Sequence, residues 1–382
     1  MNPLGQKTLG LFLTRGVSLA DWHASGILSR EIAVYNRLAD YFREVKIFTY
    51  GGNEDLGYSS YLAPNIKVYP LRNRMPKFIK MFFISLRHAS ELRKCDWLKT
   101  NQMFGAFGAI VAGALYGKPV IIRTGYTLTK FLEKESITAW RKILGRLEEK
   151  SAYRRGSLFI VSSKHDFEYV CSKYGTDPGR GLVVPNYIDT EAFRPLGLLK
   201  ERDLIFVGRL AAQKNLYSLL EAMKGTGLSA TFVGQGELEG GLKARAVSLR
   251  LDIKWLPRVK NSDLGSLIDS HRIFALVSHY EGMPKSLLEA MACGVAVLGA
   301  DSEGINEVIE DGKDGILCGT TSDSIHAGLL RLIADENLRV RLGTAARLKI
   351  EAQYSLPSLI EKETSFYRQM FCSGVDPARK SK

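Results

Sequence analysis

Short β-rich runs alternate with helically spaced apolar residues along nearly the whole chain, and no other feature restricts the fold as much. The β-rich runs fall at 8–14, 45–50, 66–71, 120–123 and 158–162, then at 204–207, 230–233, 253–256, 273–277 and 295–298. Between them apolar residues recur at helical spacing, as in Leu28, Ile32, Tyr35, Ala39 and Phe42, or Leu216, Leu219, Leu220 and Met223. That spacing puts one apolar stripe on each helix. The continuously apolar strands need cover on both faces, as parallel sheets with crossover helices provide. The expected class is α/β. The 382 residues suffice for two cores at about 100–200 residues per domain. Pro185 and Pro195 interrupt the periodicity before a second βα series opens at Leu204. The chain is therefore divided into an N-terminal domain, 1–190, and a C-terminal one from 191, with ligands expected in a cleft between them, beyond the carboxyl ends of strands.

Composition removes several classes. No apolar run approaches the ~18–20 residues that cross a bilayer. The N-terminal Met-Asn-Pro-Leu-Gly-Gln-Lys-Thr lacks the basic, apolar and small-residue succession of a secretion signal, so a cytoplasmic location, in reach of the inner face of the plasma membrane, is expected. The cysteines, Cys95, Cys171, Cys293, Cys318 and Cys372, are scattered, with no CxxC pair and no histidines at ligand spacing. Free thiols in a reducing compartment are expected, and a zinc site is not. The net charge of +13 is one-sided: residues 1–190 carry 28 Lys and Arg against 16 Asp and Glu, while 191–382 carry 25 against 24. A basic field in one half fits an anionic partner, a membrane leaflet or nucleic acid, although solubility alone would also account for it.

The most specific segment is His-Tyr-Glu-Gly-Met-Pro-Lys-Ser-Leu-Leu-Glu-Ala-Met-Ala-Cys-Gly at 279–294. It reads as a tight loop after an apolar strand, feeding a short helix. Pro284 suits the first helical position, Gly282 lets backbone approach a ligand, and Gly294 suits the helix end. Amides between Met283 and Ser286 would then face a ligand. A helix start attracts phosphate through its unsatisfied donors and dipole, with Lys285 beside them as a point charge. Glu281 just before the helix and Glu289 about one turn inside would repel phosphate unless they accept hydrogen bonds from hydroxyls. A sugar nucleotide offers hydroxyls on both sides of its pyrophosphate. In the segment 204–215 a strand ends in Gly208-Arg209 and a helix opens near Asn215. Arg209 and Lys214 would stand on one rim, where two cations can neutralise a departing diphosphate. Solvated surface charge is the equal alternative for both.

Together these residues resemble the retaining glycosyltransferases of family 4, and the resemblance covers nearly the whole chain. It is carried by the two glutamates with seven residues between them, by Gly-Arg-Leu at 208–210 with Gln-Lys-Asn at 213–215, and by Ala-Met-Ala-Cys-Gly at 290–294. Gly-Ile-Asn-Glu-Val-Ile-Glu-Asp-Gly at 304–312 with Gly315, and Val-Pro-Asn-Tyr-Ile-Asp at 184–189, add to it. The resemblance implies the GT-B fold, two Rossmann-like βαβ domains facing across a cleft, 1–190 on the acceptor side and 191–354 on the nucleotide-sugar side, with a final helix at 355–375 packing back onto the first. It implies a UDP- or GDP-sugar as co-substrate and a role in cell-surface polysaccharide, lipopolysaccharide or glycolipid synthesis. Glu289 would hold the ribose, Glu281 the transferred sugar, and Arg209 and Lys214 the diphosphate. Gly208, Gly282, Met283, Pro284, Lys285 and Ser286 would surround it, and backbone near Arg258 and Val259 would meet the base. Gly26 stands where the family has a glycine-rich loop near the donor phosphates. Where the family often has histidines after its fourth and fifth strands, this chain has Lys-Thr-Asn at 99–101 and Arg-Thr-Gly-Tyr at 123–126. Asn101, Arg123 and Thr124 are acceptor-side candidates by position alone.

No Asp-x-Asp occurs in the chain, so a metal-bridged diphosphate lacks its usual ligands, and turnover without metal or other cofactor is expected. Gly234-Gln-Gly236 reads as a turn rather than a phosphate loop. His23 beside Trp22 reads as structural, with an acceptor contact as the alternative. A basic amphipathic stretch at 75–94 sets Phe78, Ile79, Met81, Phe82, Phe83 and Ile84 beside Lys77, Lys80, Arg87, Arg93 and Lys94, and a second basic helix runs from about 137 to 155. Both suit the headgroup layer of an anionic membrane as well as ordinary packing on a sheet, and a glycan or lipid-linked acceptor would match the first. The expected mechanism is same-face attack with retention, a donor phosphate oxygen taking the acceptor proton. A transferase with a soluble acceptor, or a sugar-nucleotide epimerase on the same fold, is the near alternative. A basic nucleic-acid-binding protein is the distant one, and no nucleic-acid motif favours it. The basic end, 376–382, is expected to be unstructured.

Overall fold

The structure, a computed structural model, describes residues 3–71, 77–125 and 139–372. It divides into two compact units, Met1–Pro185 with Ile360–Lys382, and Asn186–Leu359. The first contains β1 (Thr8–Phe12), α1 (Leu19–Ala24), α2 (Leu28–Ala39), β2 (Glu44–Thr49), a 3-10 segment Asn53–Tyr61, β3 (Ile66–Pro70), α3 (Lys77–Arg87), α4 (Ala89–Arg93), β4 (Trp97–Thr100), α5 (Ala106–Tyr116), β5 (Val120–Arg123), α6 (Ala139–Arg155), β6 (Leu158–Val161), α7 (Lys164–Tyr174) and β7 (Gly181–Val183). The strands form one parallel sheet in the order β3-β2-β1-β4-β5-β6-β7. The chain runs one way along the sheet from β1 to β3 and the other way from β4 to β7. Right-handed crossovers therefore put α1 and α2 on one face and α3 to α7 on the other.

The second unit contains β8 (Arg202–Val207), α8 (Leu216–Met223), β9 (Ser229–Val233), α9 (Glu239–Ser248), β10 (Asp252–Leu256), α10 (Asn261–Asp269), β11 (His271–Leu276), α11 (Lys285–Ala292), β12 (Ala296–Ala300), β13 (Ile316–Cys318), α12 (Ser322–Ala334) and α13 (Glu336–Gln353). Its parallel sheet has the order β10-β9-β8-β11-β12-β13. The order reverses between β8 and β11, which opens a crevice beyond their carboxyl ends. A last helix, α14 (Leu356–Cys372), begins in the second unit and continues into the first, the division falling after Leu359.

Every β-rich run seen in the sequence is a strand, and the five apolar residues from Leu28 to Phe42 are all buried against the first sheet. Three strands escaped that pattern: β4, β7 and β13. The stretch expected as one amphipathic helix at 75–94 is two helices broken at His88, whose ψ of 27° leaves the helical region. Residues 75 and 76 lie outside the described residues, as do Tyr126 and 376–382. Cys95, Cys171, Cys293 and Cys318 are free thiols, and among the described residues no helix is long and apolar enough to cross a membrane.

The two sheets are fastened differently. In the second unit a large apolar core surrounds a buried His271, hydrogen-bonded to the Thr231 hydroxyl at 2.8 Å. In the first, Lys99 of β4 is fully buried and its ammonium pairs with Glu363 of α14. The Tyr367 hydroxyl donates to the same carboxylate at 2.5 Å. Tyr367 also meets Trp97 edge-on at 5.4 Å. Burial opposes ionisation of Glu363, but the Lys99 charge and the hydrogen bonds from Lys99 and Tyr367 outweigh it and hold the carboxyl below its usual range. An ion pair sequestered in this way persists only because both charges are satisfied by geometry.

Candidate functional site

At the carboxyl end of β8 the chain turns at Gly208, exposes Arg209, and passes through a short 3-10 turn to Asn215. Asn215 adopts φ 54° and caps α8, and its side-chain amide donates to Thr320 O at 2.8 Å. Gly234 and Gly236, read as a turn, allow a close approach here. Gly234 has φ +145°, and a Cβ on it would lie 1.8 Å from Gly208 O. Leu210 N–H donates to Gln235 O at 3.0 Å, and Leu238 N–H donates to Leu210 O at 3.1 Å. The glycines thus clamp the Arg209 loop.

The loop after β11 is tied to the same rim. His279 N–H donates to Gln213 O at 2.9 Å, and the Gln213 side-chain amide donates to Tyr280 O at 2.8 Å. Glu281 N–H donates to Glu303 O at 2.8 Å. Gly304, at φ +84°, sits so close that a Cβ would come within 2.4 Å of Glu281 O. Gln213, Glu303 and Gly304 carried no role in the sequence reading. Gln213 and Gly304 lie inside recognised motifs, but their contacts are between loops and have no local signature.

These ties bring Lys214 Nζ to 2.6 Å from Glu281 Oε1. The two were expected on different parts of a ligand, and the structure pairs them. Glu281 is 8% exposed and Glu289 5%. Lys285 Nζ lies 3.6 Å from Glu289 Oε1, one turn along the helix. Pro284, expected as the first helical residue, is instead the N-cap at ψ 81°, and α11 starts at Lys285. The amides of Leu287 and Leu288 both donate to Pro284 O at 3.1 Å, so those of Lys285 and Ser286 precede the first bonds of the helix. Gly282 is exposed, and Met283, Lys285 and Ser286 are half-buried. Gly294, at φ 69°, ends the helix. Arg209 makes no ion pair among the described residues. Arg258 and Val259 follow β10 directly, one strand beyond β9 in the same sheet. The result is an exposed guanidinium, a lysine–glutamate pair and a helix N-terminus on one strand-end rim. Such a rim can receive a phosphate with hydroxyl groups on either side.

Of the first-unit candidates, Asn101, Arg123 and Thr124 stand at strand ends of their own sheet, and Gly26 lies between α1 and α2. Gly26 lies in an exposed turn at φ +70°. Asn101 is buried, with its Oδ1 accepting from the Tyr35 hydroxyl and its N–H donating to Phe12 O at 2.8 Å. Arg123 and the Thr100 hydroxyl exchange bonds across β4 and β5, and Thr124 is fully buried, its N–H donating to Ile160 O at 3.0 Å. Asn101 and Thr124 hold strands together.

The family described as "Glycosyl transferases group 1" matches residues 189–349, and "Glycosyltransferase Family 4" matches 34–192. The chain belongs to glycosyltransferase family 4. Its relatives include the Escherichia coli UDP-Gal:alpha-D-GlcNAc-diphosphoundecaprenol alpha-1,3-galactosyltransferase, 26% identical over 75% of this chain and 79% of that one. The N-acetylgalactosamine-N,N'-diacetylbacillosaminyl-diphospho-undecaprenol 4-alpha-N-acetylgalactosaminyltransferase of Campylobacter jejuni is 24% identical over 77% of this chain and 84% of that one. Among solved structures, Anabaena HepE in complex with UDP and glucose superposes with a TM-score of 0.71 at 16% identity, covering 95% of this chain and all of that one. The fold of this glycosyltransferase is GT-B.

Proposed function

We propose that this glycosyltransferase moves a sugar from a nucleotide diphosphate sugar to a lipid-linked or membrane-borne glycan, with retention of configuration, in cell-surface polysaccharide or glycolipid synthesis. The observation that carries the reading is the Lys214–Glu281 pair at 2.6 Å on the rim that also bears Arg209 and the start of α11. In this reading the diphosphate docks on the amides at Lys285 and Ser286, and Arg209 and Lys214 stabilise the leaving group. Glu281 receives hydroxyls of the transferred sugar, and Glu289 receives the ribose. The acceptor attacks from the face the diphosphate leaves, and a donor phosphate oxygen takes its proton. Protein cations carry the leaving-group charge, so no metal is needed. The UDP-Gal donor named for the Escherichia coli relative, the undecaprenol-linked acceptors named for both relatives and the UDP of HepE support donor and acceptor class.

A thermal-shift panel of UDP-, GDP- and ADP-sugars, run with EDTA present, tests the donor half. A nucleotide sugar at 100 times its dissociation constant is expected to add about 2.7 kcal/mol of stability. No shift with any of the three, or a shift abolished by EDTA, would contradict the metal-free donor site.

Membrane contact, at the cytoplasmic face, is part of the same proposal. Phe82 and Leu86 on α3 are 51% and 60% exposed, and Ile143 and Leu147 on α6 are 56% and 57% exposed. α5 packs against both helices, and Phe82 meets its Phe107 edge-on at 4.7 Å. Exposed Arg87, Arg146 and Lys150 stand beside these apolar residues. Buried apolar area plus about 1 kcal/mol per basic residue near an anionic surface suits the headgroup layer. The protein is expected to sediment with phosphatidylglycerol vesicles and not with phosphatidylcholine vesicles, and Leu86→Ser with Leu147→Ser is expected to abolish it. Equal sedimentation with both lipids would reject the docking face.

A further inference from the structure

We infer that His23, Tyr58 and Tyr61 form an aromatic platform that holds a pyranose ring of the acceptor by stacking, an inference that rests on the glycan acceptor proposed above. The three side chains come from two segments: α1, after the carboxyl end of β1, and the 3-10 segment after β2. Ring centroids lie 5.1 Å apart for His23 and Tyr58, 6.3 Å for His23 and Tyr61, and 6.3 Å for Tyr58 and Tyr61. The interplanar angles of 42°, 68° and 50° make a folded surface rather than a closed stack. His23 and Tyr61 are exposed, Tyr61 to 45%, and Tyr58 is half-buried. Large rings normally enter a core, as the adjacent Trp22 does at 6% exposure. Three that gather outside it offer apolar faces with polar tips to whatever arrives.

The scaffold beneath them is fixed. Asp55 is fully buried in the 3-10 segment, and its carboxylate accepts from Ala20 N–H at 3.0 Å and from the Thr49 hydroxyl, tying that segment to α1 and β2. Ser18 and Asp21 cap the start of α1 reciprocally. Asn36 of α2 donates to Tyr61 O and accepts from Ala63 N–H, both at 2.9 Å. The backbone that carries the three rings is therefore set before any ligand comes, which lowers the ordering cost of binding.

The chemistry of the surface narrows the occupant. A pyranose has an apolar face of C–H groups and a rim of hydroxyls, and aromatic faces edged by imidazole nitrogen and phenol hydroxyl match both. The exposed turn through Gly26, the donor-side candidate of this unit, follows His23 by three residues. The apolar and basic face of α3 and α6 lies on the other side of the sheet, so the platform is not a continuation of the membrane surface.

Saturation-transfer NMR on the full chain tests this, using the methyl α-glycosides of glucose, galactose and N-acetylglucosamine as probes with UDP at saturation. Ring C–H protons of at least one probe are expected to receive saturation. The signal is expected to fall by roughly fivefold in Tyr58→Ala with Tyr61→Ala, the loss of about 1 kcal/mol of aromatic contact, and to survive in Tyr58→Phe. No transfer to any probe, or equal transfer in the double variant, overturns the platform. Thermal shift by UDP, read on the same samples, reports the donor site separately, so failure of that reading is distinguishable. Should the double variant lose its fold, His23→Ala carries the test with the same expected direction.

Discussion

Replacing Arg209 and Lys214 together by alanine is expected to lower sugar transfer by about 10³–10⁵-fold, because one oriented donor to developing charge is worth roughly 10²–10³ in rate and such effects combine imperfectly. The two single changes should differ in kind. Arg209→Ala leaves the Lys214–Glu281 pair intact and, on the proposed mechanism, removes stabilisation of the leaving group, so the loss should fall on kcat. Lys214→Ala in addition leaves Glu281, 8% exposed, as a nearly buried carboxylate without its cation, so donor binding should weaken too. Arg209→Lys keeps the charge but loses the planar fork and should recover only part of the rate. Initial rates of nucleotide release with membrane extract as acceptor, on protein of unchanged circular dichroism, provide the measurement. Turnover of the double variant within threefold of the parent would remove both cations from the mechanism.

The largest effect on stability is expected in the first unit. Glu363→Ala should cost about 3–5 kcal/mol, since it leaves Lys99 as a buried, unpaired ammonium. At roughly 2–4 °C per kcal/mol for a unit of this size, the fall in Tm is easily seen. Lys99→Met with Glu363→Leu should recover most of it, because an apolar pair of similar volume removes both desolvation penalties. The pH dependence has a definite sign. The folded-state pKa of Glu363 lies below its ordinary value, so its contribution is complete above the unfolded value and is lost as pH falls through the folded one. The gap in Tm between the parent and Glu363→Gln should therefore narrow on acidification below about pH 4.5. A gap that stayed constant, or a Glu363→Ala variant melting with the parent, would show that the pair contributes nothing.

The parts of this architecture that could be read from the sequence are those governed by local pattern. Strands such as β8 and β12 are uninterrupted apolar runs, and α2 and α8 carry clear apolar stripes, so periodicity alone locates them. β4 was hidden because Lys99, a residue seldom found in a core, sits in its middle and is neutralised by a partner 264 residues away. β7 and β13 are three residues each, too short for any period to register. The same division holds at the rim. Glu281, Glu289, Arg209 and Lys214 stand out because their motif is compact. The contact between Lys214 and Glu281, 67 residues apart, depends on two loops being laced through Gln213, Glu303 and Gly304, and no local spacing encodes it. His23 gave no reason to be linked with Tyr58 and Tyr61 until Asp55 was seen to fasten their segments together.

The passage of α14 from the second unit into the first also dictates an order of events during synthesis. Lys99 leaves the ribosome long before Glu363, and at about 5–20 residues per second roughly 13–50 s separate them. Throughout that interval the half of the enzyme made first keeps an unmatched ammonium and an uncovered strip of sheet, and every residue of the second unit, through Leu359, is made before Glu363 arrives. The N-terminal portion is thus begun first and finished last, and a nascent chain halted short of residue 363 presents that unfinished strip to the folding machinery of the cell.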